Sequence, residues 1–454
     1  MNVKPIERLF IIAIVFLKIS YSVSADDNTD FKWGGDVRIR NEYREDIQTP
    51  ASKPPYSLTI NDYYRVRSRV WTQIDFSHNI AFYNRLCNEF RYWNKPDMSA
   101  KPSSSSYEFP DELFFDNFYL EAKDLFGSVD VRIGRQDISY GNGRIIYDGT
   151  PGDGTRSFYF DAIKLSLRNI IQATKIDIFG LYCSSVGNWL SMGNVDRDLT
   201  GYKSAFGAKE KDGVDESGAG IYVMNNTWDL MPVDLYWVFK NEEAYYDKEN
   251  NKTDELNIHT IGFSIKSSFS RNFAAYFENA LQIGRRGNID VSGKMIDVAV
   301  EIKSPAETLL SPSMKAGIYY LSGDDPATQN SEEGWNPVFA RYTQNQELYV
   351  YAYPASWWSN LLSPSLSASV LPSDWAKISF MVEYLFAPEN DGPESGHVRG
   401  FLSGINAEFD IGKKLYEKKG EITGHIILQI LEPGNYYAND ETAYFFRWQL
   451  QYMF

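Results

Sequence analysis

The last thirteen residues, Thr442-Ala-Tyr-Phe-Phe-Arg-Trp-Gln-Leu-Gln-Tyr-Met-Phe454, constrain the fold more than any other stretch. Tyr444, Phe446, Trp448, Leu450, Tyr452 and Phe454 fall on one side of an extended chain, and Arg447, Gln449 and Gln451 on the other. Side chains of a strand point alternately to its two faces, so this pattern describes a strand with one apolar and one polar face. The same period recurs through the chain. Between Trp33 and Arg44, Asp36, Arg38, Arg40, Glu42 and Arg44 alternate with Trp33, Val37, Ile39 and Tyr43. Between Tyr63 and Phe76, Arg65, Arg67, Arg69, Gln73 and Asp75 alternate with Tyr64, Val66, Val70, Ile74 and Phe76. Further ribbons lie at 128–136, 157–168, 274–283, 291–302 and 376–386. No helical periodicity persists for more than a turn or two.

Two architectures produce such ribbons. A soluble sandwich or β-helix buries the apolar face, whereas a transmembrane barrel turns it to lipid and keeps the polar face wet. The ribbons run to 10–13 residues, where roughly 9–11 tilted residues span a bilayer and soluble strands average about 5–6. Aromatics gather at ribbon ends (Tyr63, Tyr64, Trp71; Tyr92, Trp93; Trp357, Trp358), as interface girdles require. A mean hydropathy of −0.39 excludes a bundle of membrane helices. The expected fold is therefore all-β: a transmembrane antiparallel up-and-down β-barrel with long extracellular loops. Candidate strands begin near 33, 62, 80, 112, 128, 157, 174, 219, 233, 257, 274, 291, 313, 346, 360, 376, 401, 423 and 442. Bacterial single-chain barrels use even numbers, and the piece near 346 is the weakest because Pro354 follows it, so about 18 strands are expected. Segments 94–110, 183–218, 241–256, 322–345 and 387–400, rich in Gly, Pro, Asp and Asn, read as the long loops.

Residues 1–25 read as a cleaved signal peptide. Lys4 and Arg8 precede the apolar run Leu9–Leu17, and Val23-Ser24-Ala25 forms a small-residue cleavage site. Nine apolar residues are too few for a spanning helix, which takes about 20. The expected single domain is a barrel over 26–454, exported to the outer membrane of a diderm bacterium. The alternating strand that ends on Phe454 resembles the assembly signal of such barrels, which implies the barrel assembly machinery and outer-membrane lipid as partners.

Charge separates function classes. With 45 Lys plus Arg against 60 Asp plus Glu, the net charge is −15, which argues against a nucleic-acid partner. Two cysteines, Cys87 and Cys183, exclude a disulfide scaffold or a Cys-rich zinc module. Four histidines in no metal-spaced or triad pattern argue against an enzyme, and a hydrolase barrel is the weakest reading. Asp324 and Asp325, with Glu332 and Glu333, offer oxygen ligands for Ca²⁺, against the simpler reading of solvated loop charge; no other cofactor is implied. Thirteen of the 21 arginines lie between Arg38 and Arg168. Polar-face positions single out Arg38, Arg40, Arg44, Arg65, Arg67, Arg69, Arg85 and Arg91, joined by Arg132, Arg135, Arg144 and Arg156, as a lumenal path for a polyanion. Guanidinium is always charged and forks onto carboxylates, which suits a sliding contact. The alternative is that these arginines pair with Glu42, Asp75, Glu89, Glu121 and Asp130 and brace the wall.

Five stretches carry a family resemblance. Asp111-Glu-Leu-Phe-Phe-Asp-Asn-Phe-Tyr-Leu-Glu121 leads to Val131-Arg-Ile-Gly-Arg-Gln-Asp-Ile-Ser-Tyr-Gly-Asn-Gly-Arg144 and on to Arg156-Ser-Phe-Tyr-Phe-Asp-Ala162. Farther along come Tyr320-Leu-Ser-Gly-Asp-Asp-Pro326 and Gly334-Trp-Asn-Pro-Val-Phe339. The chain resembles the alginate export family of outer-membrane barrels. That resemblance implies an eighteen-stranded pore passing an anionic polysaccharide or oligosaccharide, such as an alginate-like polyuronate. A general or carbohydrate-specific porin without polyuronate preference is the alternative.

Overall fold

The computed structural model describes residues 29–46, 60–76, 79–95, 112–147, 159–183, 215–244, 252–305, 308, 310–340, 348, 359–390, 396–416, 420–438 and 440–454. Eighteen long strands form one closed antiparallel sheet. They are β1 (Asp30–Glu45), β2 (Asn61–Asp75), β3 (Ile80–Lys95), β4 (Glu112–Leu125), β5 (Val129–Gln136) and β6 (Phe160–Arg168). Next come β7 (Thr174–Cys183), β8 (Glu216–Asn225), β9 (Val233–Glu242), β10 (Leu256–Ser268), β11 (Phe273–Arg286) and β12 (Ile289–Lys303). The last six are β13 (Ser313–Leu321), β14 (Leu361–Ser373), β15 (Ala376–Phe386), β16 (Val398–Asp410), β17 (Ile422–Pro433) and β18 (Ala443–Met453). Each pairs with its sequence neighbours, and β18 closes onto β1 with a register running from Asp36↔Met453 to Glu45↔Tyr444. Closure leaves no open sheet edge, the condition for β-structure in hydrocarbon.

Burial is inverted relative to a soluble protein. Val37 and Ile39 of β1 are 38% and 42% exposed, while Arg38 and Arg40 beside them are 1% and 0%. Leu235, Ile261, Leu281, Ile302, Ile318, Leu366, Ile405 and Leu428 are likewise exposed around the circumference. A sandwich would show the reverse. The apolar belt faces outward, so the expected barrel is what the chain forms.

The connections sort onto two ends. The start of β1 and the end of β18 share one end with the short turns, such as 126–128 between β4 and β5. A six-residue helix, α1 (Ile411–Tyr416), also lies there, with Asp410 capping the Lys413 N–H at 2.9 Å. The other end carries the long connections, including those expected after β3, β7, β9, β13 and β15. The loop expected over 183–218 is shorter than that, since β8 already starts at Glu216. One link on the loop end is tight: β11 and β12 join through Gly287-Asn288, with Gly287 at φ +58°. The strand expected near 346 falls outside the described residues, apart from Leu348, and the barrel closes without it.

Candidate functional site

The inward face of β18, β1, β2 and β3 is an arginine wall. Register sets Arg38 directly across from Arg67, and Arg40 across from Arg65. Arg65 in turn faces Arg91. Like charges so placed repel, and three carboxylates sit between them. Asp36 takes Arg67 at 3.3 Å and Arg69 at 2.7 Å. Glu89 takes Arg65 at 2.6 Å and Arg38 at 3.2 Å. Glu42 takes Arg44 at 2.5 Å, Arg447 at 3.0 Å and Arg40 at 3.1 Å, and also accepts the Tyr63 hydroxyl. Seven arginines therefore gather on three carboxylates among the described residues. All ten side chains are buried. Two of the three, Glu42 and Glu89, are the brace partners expected from sequence. Asp36 and Arg447 were legible on the same polar faces without being singled out.

The other candidates divide. Arg85 bonds Asp116 at 2.7 Å and Asp137 at 3.3 Å. Arg91 lies against the rings of Tyr63 and Trp93. Arg132 bonds Glu121 at 2.6 Å over the Tyr119 ring. Arg135 departs from the expected row. It is three residues from Arg132, and an odd step along a strand reaches the opposite face. It is fully buried, forked onto Asp161 at 2.9 and 3.3 Å, with its guanidinium 3.8 Å from the Tyr159 ring centre. That makes it a clamp between β5 and β6. Arg156 lies outside the described residues. Asp75 and Asp130 pair with Lys32 and Arg168 instead of the candidate arginines.

Two connections from the loop end fold into the barrel and build an apolar core there. Residues 146–147 and 339–340 pair as a short parallel sheet, Phe339 with Ile146 and Ala340 with Tyr147. Ile138, Ile145, Ile146, Trp335, Val338 and Phe339 pack with inward-facing Val238, Met295, Leu321, Leu361, Leu385, Leu402 and Leu431. Leu348 joins this core, and its N–H donates to Gln429 Oε1 at 2.8 Å. Polar latches hold the two segments. Tyr140 stacks on Tyr222 with ring centres 4.2 Å apart and donates to Asp177 at 3.0 Å. Arg144 bonds Asp297 at 2.8 Å. The Asn336 N–H donates to Gln282 Oε1 at 2.9 Å, while the Gln282 amide donates back to the Asn336 carbonyl at 2.7 Å. At Gly218 a Cβ would fall 2.6 Å from the Phe339 ring, so this wall position has room only for glycine. Expected as one of the long extracellular loops, 322–345 thus sends its 334–340 portion inside the barrel. Turns and aperiodic apolar runs carry no direction in sequence, which is why the motif Gly334–Phe339 was visible and its place was not.

The acidic stretch above this core is internally satisfied. Asp324 accepts the Glu333 N–H at 2.8 Å, Asp325 the Ala327 N–H at 2.9 Å, and Glu332 pairs with Arg286 at 2.9 Å. The Ser331 hydroxyl holds the Glu333 carboxyl below its usual range, and burial pushes that of Asp324 up. These oxygens serve the loop's own N–H groups and Arg286, and no cluster suited to a metal occurs among the described residues. Cys87 and Cys183 are buried and form no disulfide.

Solved structures with the same fold come from Pseudomonas aeruginosa. OccK9 (OpdG) shares 11% identity at a TM-score of 0.59, covering 93% of this chain and 98% of that one. OpdK, solved with vanillate, shares 10% at 0.57, over 93% and 98%. The outer membrane protein OprD shares 7% at 0.53, over 93% and 94%. No curated protein matches the sequence. The family model described as alginate export matches residues 30–390. With a lipid-facing belt, a closed barrel and that match, this chain belongs to the alginate export family and is a channel of the outer membrane.

Proposed function

We propose that the barrel passes an anionic oligosaccharide or polysaccharide, a polyuronate, across the outer membrane without changing it covalently, with the loop end outside and the turn end in the periplasm. One observation carries the reading: seven guanidiniums gathered on three carboxylates along one inner wall. Guanidinium keeps its charge at any pH a cell meets, so these seven side chains stay cationic along the wall. Its field reaches about one Debye length, ~8 Å at physiological salt, so the wall acts on solutes that never touch the buried arginines.

A porin for smaller solutes, with no polyuronate preference, is favoured by the apolar core inside the barrel, which takes up room a polymer needs. Planar-bilayer recordings on the purified protein separate the two. The polyuronate reading expects chloride-over-potassium selectivity and block by oligouronates that strengthens with chain length. Cation selectivity, or currents indifferent to oligouronate, overturns it in favour of the small-solute porin.

A further inference from the structure

Buried arginines cannot be the groups a passing chain touches, and the turn-end half of the lumen supplies others. There β13, β14 and β15 turn a strip of hydroxyls and two lysines inward. Lys315 stands in register with Ser367. Ser369 stands in register with Ser379, and Lys377 lies two residues before Ser379 on the same face of β15. Both lysines are exposed, and neither makes an ion pair or hydrogen bond with a described residue. The carboxylates directly across from them are engaged elsewhere. Glu301, across from Lys315, pairs with Lys303 at 3.2 Å, and Glu408, across from Lys377, accepts the Asn406 amide at 2.9 Å.

Lys377 also lines a cavity of about 380 Å³ at the mouth, beside Trp375, His425 and Gln449. Of its acids besides Glu408, Asp374 pairs with Lys413 at 2.9 Å, and Asp410 caps the Lys413 and Gly420 N–H groups at 2.9 and 2.8 Å. Each carboxylate there has a partner, whereas the Lys377 ammonium has none among the described residues. Gln449 Oε1 is buried without a hydrogen-bond partner. A site with an unmatched cation, an unmatched acceptor and hydroxyls alongside suits a ligand that brings both carboxylate and hydroxyl groups.

We infer that Lys315, Ser367, Ser369, Ser379 and Lys377 form a contact track for an anionic saccharide, ending in the Lys377 cavity at the periplasmic mouth. The inference rests on the polyuronate reading above and names the surface that reading lacks. Serine hydroxyls exchange hydrogen bonds with sugar hydroxyls, and the two ammonium groups bind carboxylates as point charges without locking them, which permits sliding.

The test compares full-length wild type with the Lys315→Gln/Lys377→Gln double variant, each checked for folding by heat-modifiability. Binding of a fluorescently labelled oligoguluronate to the detergent-solubilised protein is read by anisotropy, so no open channel is needed, and reversal potentials are read in bilayers. The track expects about tenfold weaker binding in the variant, ~1.4 kcal/mol, and reduced chloride selectivity. Equal binding to wild type and folded variant overturns the track and leaves the polyuronate reading standing. If wild type binds no oligoguluronate, yet chloride selectivity falls in the variant, the polyuronate reading fails while the lysines remain the anion contact.

Discussion

Phe454 and Gly35 exchange both of their backbone hydrogen bonds, each at 3.0 Å, across the seam where the chain closes on itself. The Phe454 ring occupies the space beside Gly35: a Cβ at Gly35 would lie 2.7 Å from it and 2.5 Å from the Arg69 carbonyl oxygen. The terminal residue is thus part of the closing ladder as well as of the apolar belt. Deleting Phe454, or making Gly35→Val, should lower the amount of heat-modifiable protein in the outer-membrane fraction. Wild-type levels of both variants would show that the seam closes without this pair.

The arginine wall makes a stability prediction. Removing one partner from a buried ion-pair network costs about 3–5 kcal/mol, because the remaining charges stay buried. Glu42→Gln strips a carboxylate from Arg40, Arg44 and Arg447, so its loss should fall in that range. Glu301→Gln, which loses only the exposed pair with Lys303, should change stability by about 0–1 kcal/mol. Urea titration of the folded band on gels checks both. Equal effects would mean that the wall is more hydrated than its burial indicates.

The inward-folded core predicts a gate-like response. Large-to-small changes of a buried Phe cost about 3–5 kcal/mol of packing, so Phe339→Ala should loosen the segments from the wall. Single-channel conductance should rise, and rise further when Asn336→Ala removes the side-chain bonds to the Lys240 ammonium and the Val338 N–H. Unchanged conductance in folded variants would place the conducting path elsewhere.

Orientation follows from the two ends. In a background without Cys87 and Cys183, Gln329→Cys, on the exposed tip of the loop-end acidic stretch, should react with an impermeant thiol reagent on whole cells. Phe126→Cys, in the β4–β5 turn where Phe126 is 99% exposed, should react only after the outer membrane is opened. The reverse pattern would invert the barrel.

Much of the wall was legible because lipid on one side and water on the other impose the period of two on every strand. The starts expected near 33, 157, 219 and 401 lie at Asp30, Phe160, Glu216 and Val398, a shift of three residues each, and the other barrel strands agree more closely. The polar faces of β1 and β2 also read correctly, which is why Arg38, Arg40, Arg65 and Arg67 were found. Partners were harder. That Glu89 bridges Arg38 and Arg65 depends on a three-strand register that no single ribbon contains. Arg135 was misplaced because its motif was read as a unit, against the alternation that sets it apart from Arg132. The inward turn of 137–147 and 334–340 was invisible, since connections have no period and their destination is set by distant wall residues such as Gly218.

The short sheet joining Ile146 to Phe339 has a mechanical consequence. Its two segments spring from the links β5–β6 and β13–β14, which stand eight strands apart on a ring of eighteen. They therefore meet as a crossbeam between nearly facing sides of a hoop. A hoop deforms most easily by flattening into an ellipse, and a beam along a diameter resists that motion. Displacing either segment should therefore release the other and let the whole ring breathe, so that one contact sets both how wide the passage is and how stiff its wall remains.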